Sequence, residues 1–227
     1  MTTRFAVAIA AAIAMAAPAA AASPSEMLTQ AAFQTTDKAA ALALVNQVIA
    51  ASDAQLATEP NNREAQVQHA AGIGYRGKLT RSATDAKSAH RLFEALASND
   101  PRDPEAQLLL AGWNLDAVAD LGPLLASVGL GAKPAVGTAA LDRAVALSKG
   151  RAFFAGIAAL MRIRLDPKDV ARATQLAQAA SQGSTATPLD RIAKRAADQL
   201  LVPLRAGDGK AAADLARQLL PFGRLPK

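Results

Sequence analysis

Between residues 37 and 58 the large apolar side chains fall three and four positions apart: Leu42, Val45, Ile49 and Leu56, with Ser52 in the same register. That step matches the turn of an α-helix, so it predicts one face of a helix from about Asp37 to Thr58. Ala212, Leu215, Ala216 and Leu219 repeat the pattern after an opening at Asp208. The run "FFAGIAALMRIRL", residues 153–165, is apolar almost all round until Arg162 and Arg164. It is too short to cross a bilayer and reads as the most buried helix.

Starts and breaks frame these helices. Asp103-Pro104-Glu105, Asp166-Pro167-Lys168-Asp169 and Thr187-Pro188-Leu189-Asp190 each place a capping side chain before a proline. The capping oxygen accepts an orphan backbone N–H, and proline's fixed φ costs nothing where no donor is needed. Acidic residues in the first turn then suit the helix dipole. Breaks are expected at "TEPNNRE", "SNDPRDPE", "GLGAKPAVG", "RLDPKD", "SQGSTATP" and "RAGDGK". All are short and turn-rich, so successive helices should pack as antiparallel hairpins.

Composition strengthens this picture. About a quarter of the chain is alanine, while β-branched and aromatic residues never gather into alternating runs. Alanine favours helix and disfavours strand, so the expected fold class is all-α.

The breaks also recur. "EPNNREAQ" and "DPRDPEAQ" superpose at a shift of 41 residues, and Ala71-Gly72, Ala111-Gly112 and Ala155-Gly156 follow one another 40 and 44 residues apart. Such periods signal stacked helix pairs. The stretch "AHRLFEALASNDP", with Ala89, Phe93 and Pro101, followed by Ala106, Leu110 and Ala111, resembles a tetratricopeptide repeat. Leu141 and Ala144 in "GTAALDRAVAL" echo it, so the resemblance covers roughly residues 37–165. The spacings exceed that family's period of roughly 34 residues. The resemblance implies hairpins stacked as a right-handed superhelix whose concave face binds a protein or peptide.

The opening residues change where such a protein would work. Arg4, an apolar run from Phe5 to about Ala17, and small residues ending at Ala22 have the layout of a secretory signal peptide. Residues 1–22 are therefore expected to be cleaved, leaving residues 23–227 as one periplasmic or secreted domain with no transmembrane segment. The chain has no cysteine, which rules out disulfides and lipid attachment at the cut site. Its net charge is +6, of which the leader holds one, Arg4. Export argues against nucleic acid as the partner of that charge.

Candidate chemistry is sparse. "GIGYRGK" spaces Gly72, Gly74 and Gly77 as G-x-G-x-x-G, but a phosphate loop needs a strand before it, and "REAQVQHAA" has no strand character. The glycines are expected to let helices approach closely, with Gly77 helping to end its helix. Around them Tyr75, Arg76, Lys78 and Arg81, with His69 on the same helix and Lys87, His90 and Arg91 on the next, define a candidate anion site. Trp113 either lines that site or packs in the core. No metal is expected, because His69 and His90 lack any ligand spacing, and no cofactor is expected.

No G-x-S-x-G, cysteine nucleophile or ordered Ser/His/Asp set is present, so an enzyme is not expected. A peptide or protein scaffold is the first expectation. The alternative is an accessory component of a transport system that binds a small organic anion. "AGWNLDAVADLG…ALDRAVAL" is faintly similar to the T component of tripartite uptake transporters, which implies a ligand cavity lined by Tyr75, Arg76, Arg81 and Trp113. A hydrolase centred on Asp116 and Asp120 comes last and requires those carboxyls to be buried with shifted pKa values.

Overall fold

The computed structural model describes residues 22–226. The expected leader therefore lies outside the described residues apart from Ala22. Eleven helical segments follow in order: α1 (Pro24–Phe33), α2 (Lys38–Thr58), α3 (Arg63–Thr80), α4 (Ala83–Asn99), α5 (Pro104–Leu121) and the short α6 (Pro123–Leu125). A π-helical turn (Ala126–Leu130) leads to α7 (Pro134–Leu147), α8 (Ala152–Leu165), α9 (Val170–Gln182), α10 (Pro188–Arg205) and α11 (Gly209–Leu219). Among the described residues the only extended pairing is one isolated bridge, Arg151 to Ser184. The protein is all-α.

The caps explain most of the boundaries. Asp37 Oδ1 accepts the Ala40 N–H at 2.7 Å, and Asn62, Ser82, Asp103 and Asp208 accept first-turn N–H groups in the same way. Thr187 and Asp190 form a reciprocal capping box at the start of α10.

Two sequence expectations need correction. Asp166 does not start α9: its N–H is still bonded to Arg162 O at 2.9 Å as the cap that ends α8, and its side chain accepts the Lys168 N–H. The helix opens three residues later, behind Asp169. Gly77 does not end α3, which runs on to Thr80 and stops at Arg81, whose φ of 56° is left-handed. Gly77 instead lets the start of α4 approach, since a Cβ there would lie 3.0 Å from Ala86 N. Gly72 and Gly74 do serve close approach, the first against Ile49 and the second against Phe93.

Successive helices pack on one another except at the short α6 and the π-helical turn, across which α7 packs on α5, and a second set of contacts joins α3 to α5, α5 to α8 and α8 to α10. Ion pairs fix their relative direction. At their starts, Arg63 reaches Asp103 and Glu105, Glu105 reaches Arg151 at 3.6 Å, and Arg151 reaches Asp190 at 3.3 Å. Toward the far ends, Lys78 of α3 meets Asp116 of α5, which meets Arg164 of α8. Both ladders run in the same order, so α3, α5 and α8 are parallel, and α4 and α7 between them return in the opposite sense, the start of each lying against the second half of α5. The recurring sequence has a recurring bond: Gln66 Nε2 donates to Pro60 O at 2.8 Å and Gln107 Nε2 to Pro101 O at 3.4 Å.

Burial follows the pattern. Ten of the fourteen residues of α8 are buried, which makes it the most buried helix, as its composition predicts. One apolar cluster gathers α1 to α4 around Val45, Val48 and Phe93; another gathers α5 and α7 to α11, with Ala32 and Phe33 at the end of α1, around Leu141, Phe154, Leu160 and Ile163. Tyr75, Leu110 and Phe222 touch both. Helix α2 is long and apolar enough to cross a membrane by length and composition. It packs between α1 and α3, with Ala41, Val45, Val48 and Ile49 buried.

Candidate functional site

The residues singled out around "GIGYRGK" do not converge. Arg76 is held on the α4 side, where Nε and Nη2 each donate to Asp85 at 2.8 Å. Hydrogen bonding from Arg76 holds the Asp85 carboxyl below the usual range. Arg81 is exposed at the turn after α3. Trp113 Nε1 donates to Ala86 O at 2.8 Å while its ring stacks on His90 with centroids 3.8 Å apart. That indole pins α5 to α4, which is a packing role. Burial depresses the His90 pKa, against a weaker upward pull from Glu94 and alongside a lowering by Lys133. His69 lies elsewhere, its Nδ1 2.8 Å from Asp53 Oδ1.

One of them, Lys78, does meet Asp116, which the sequence marks separately. Lys78 Nζ donates to Asp116 Oδ2 at 2.6 Å, and Arg164 Nη1 donates to Asp116 Oδ1 at 2.6 Å. Arg164 also reaches Asp120, one turn further along α5. Two cations and two carboxylates therefore cancel. Burial works to raise the Asp116 carboxyl, but the charges and hydrogen bonds of Lys78 and Arg164 outweigh it and hold it below the ordinary value. Tyr75 stands beside this cluster. Burial first, and the Asp116 charge second, push its hydroxyl upward, so it stays protonated.

Over Tyr75 lies a stretch without helix, residues 220–226. The Phe222 N–H donates to Ala32 O of α1 at 2.7 Å, and its ring meets Tyr75 edge-on with centroids 4.9 Å apart and planes at 84°. Phe222 has φ of 65°, a left-handed conformation that costs a bulky side chain about 1–3 kcal/mol. Leu225 packs against the α1–α4 cluster. The segment thus joins α1 and α3 to α11, and α1 also packs on α10. Sequence reasoning missed Phe222 and Arg164. Nothing in their local pattern marks them, because their partners lie tens of residues away.

A concavity opens where α1, α10 and α11 meet. It is lined by Phe33, Ile192, Arg195, Gln199, Gln218 and Arg224, among others, and no carboxylate faces it. No family model, curated protein or solved structure matches this chain.

Proposed function

We propose that the protein is an exported tetratricopeptide-like scaffold that holds a short non-helical peptide segment of a protein partner. The observation that carries this reading is the seating of residues 220–226. That segment lies across α1 and α3 by one backbone hydrogen bond and one aromatic anchor, as a recognised peptide would. Parallel alternate helices and the repeated Asn62 and Asp103 caps fit stacked repeats, which leave an extended surface beside their cores. The neutralised Lys78–Asp116–Arg164–Asp120 cluster then serves as rigid support.

The test is to loosen the internal segment with Phe222→Ala and titrate the variant calorimetrically with a synthetic peptide of residues 220–226. Saturable binding by the variant, weak or absent for the unchanged protein, is expected. A folded variant that takes up no peptide speaks against the reading.

One observation favours the small-anion alternative, at a different place from Tyr75, Arg76 and Arg81: the cleft bearing Arg195 and Arg224. Under it, short-chain carboxylates should raise the melting temperature, and Arg195→Ala should abolish that rise. A hydrolase at Asp116 and Asp120 has less support, because an Asp116 held ionised has no proton to give as a general acid near neutral pH.

A further inference from the structure

Among the described residues six large apolar side chains are exposed, and five of them, Leu121, Leu124, Leu125, Val128 and Val136, fall within sixteen positions. The three at the tip protrude most: Leu124 is 74 % exposed, Leu125 64 % and Val128 80 %. Residues 121–132, "LGPLLASVGLGA", contain no charged side chain. Exposed apolar groups so concentrated mark a contact surface.

The turn that carries them is built firmly. Ala126 and Ala132 are buried, and the Ala132 N–H donates to Ala126 O at 3.0 Å. The Gly131 N–H reaches Ser127 O at 2.9 Å, closing the π-helical turn. Behind it the Lys133 N–H donates to Oδ1 of buried Asn114 at 2.8 Å, and Asn114 Nδ2 returns a bond to Leu110 O. Residues 123–130 leave the axis of α7 at 94°. The result is a stiff apolar knob.

The surrounding charge identifies what covers it. Lys133 follows directly, and α4, which packs against the π-helical turn, carries Lys87 and Arg91. All three are exposed, and none is in an ion pair among the described residues. Three neighbouring carboxylates are taken, Asp85 by Arg76, Asp116 by Lys78 and Arg164, and Asp120 by Arg164. Glu94 faces only His90, whose depressed pKa leaves it neutral at neutral pH, so the three cations outnumber one uncompensated carboxylate. An apolar tip backed by free cations complements an anionic lipid surface. A second copy would bring the same positive charge, and the chain as a whole is at +6.

Length agrees. Eight helical residues span about 12 Å, far short of the roughly 30 Å hydrocarbon core but matched to an interfacial insertion of about 5–10 Å. We infer that residues 121–133 form a prong that inserts Leu124, Leu125 and Val128 into the interface of a bilayer bearing anionic headgroups, with Lys133, Lys87 and Arg91 set against those headgroups.

The experiment is vesicle flotation with the chain from Ala22 onward, which holds the whole described fold and omits the apolar leader. Vesicles of phosphatidylcholine alone are compared with vesicles containing about a third phosphatidylglycerol. The protein should float with the anionic vesicles, Leu124→Ser/Val128→Ser should cut binding by about tenfold or more, and Lys87→Gln/Lys133→Gln should remove the anionic preference. Equal far-ultraviolet dichroism confirms that the serine variant is folded. No flotation, or flotation that the serine pair leaves unchanged, overturns the proposal. So does a dimer by light scattering that the serine pair dissolves while vesicles stay unbound, since the knob would then join two copies.

Discussion

Phe222 meets Tyr75 edge-on at 4.9 Å, although 147 positions separate them in the chain. That contact carries the last described segment back to α3 and links the two apolar clusters. Phe222→Ala should lower stability by about 2–3 kcal/mol in urea unfolding. Because φ at this position is 65°, Phe222→Gly loses the same ring yet relieves the backbone, and should be milder than Ala by about 1 kcal/mol. Equal losses would mean that the strained conformation is not held in solution.

Two glycines separate close approach from mere tolerance. A Cβ on Gly137 of α7 would lie 2.8 Å from both Asn114 Cβ and Leu115 Cγ of α5. Gly137→Ala should therefore cost about 1–3 kcal/mol by forcing the hairpin apart. Gly112, inside α5, has nothing within 4 Å of the same position. Gly112→Ala should stabilise the helix by about 0.5–1 kcal/mol. Thermal melts of the two variants should move in opposite directions.

Asp190 carries the clearest acid sensitivity. Its carboxylate is fully buried and accepts from Thr187 Oγ1 at 2.7 Å, Thr187 N–H at 3.0 Å and Phe153 N–H at 3.2 Å, with Arg151 beside it. Burial alone would raise its pKa, but the Thr187 bonds, the Phe153 amide and the Arg151 charge together bring it below the ordinary value. A carboxyl depressed in the folded state contributes fully above the unfolded value of about 3.9 and loses that contribution as pH falls through the folded value. Denaturation curves from pH 7 down to pH 2 should show stability declining below about pH 5. Asp190→Asn should lower stability by about 2–4 kcal/mol at neutral pH and flatten that decline.

Lys78 and Arg164 act on one carboxylate, Asp116. Lys78→Met and Arg164→Met should each destabilise, Arg164→Met the more because it strands Asp120 as well. The double variant should differ from the sum of the two by at least about 0.5 kcal/mol. Strict additivity in a double-mutant cycle would show that the cluster is not one electrostatic unit.

Much of the fold was legible from local chemistry. Asp37, Asp103, Thr187 and Asp208 announce their helices because a cap acts within three residues, inside the reach of sequence reasoning. Asp166 misled for the same local reason: one carboxylate can end a helix or start one, and the last carbonyls of α8 claimed its N–H. The site was less legible. Lys78, Arg76 and Arg81 are near neighbours in sequence, yet the rotation of α3 sends Arg76 to α4 and Lys78 to α5.

Alanine content, helical spacing and capping residues determined by themselves that this chain is a set of all-α elements in hairpins, since each acts over one or two turns of backbone. The tertiary structure decided which charges cancel, where Phe222 rests, and that Leu124, Leu125 and Val128 face outward rather than into the core. Those outcomes depend on side chains brought together across many tens of residues, where only the packing of whole helices sets distance and burial.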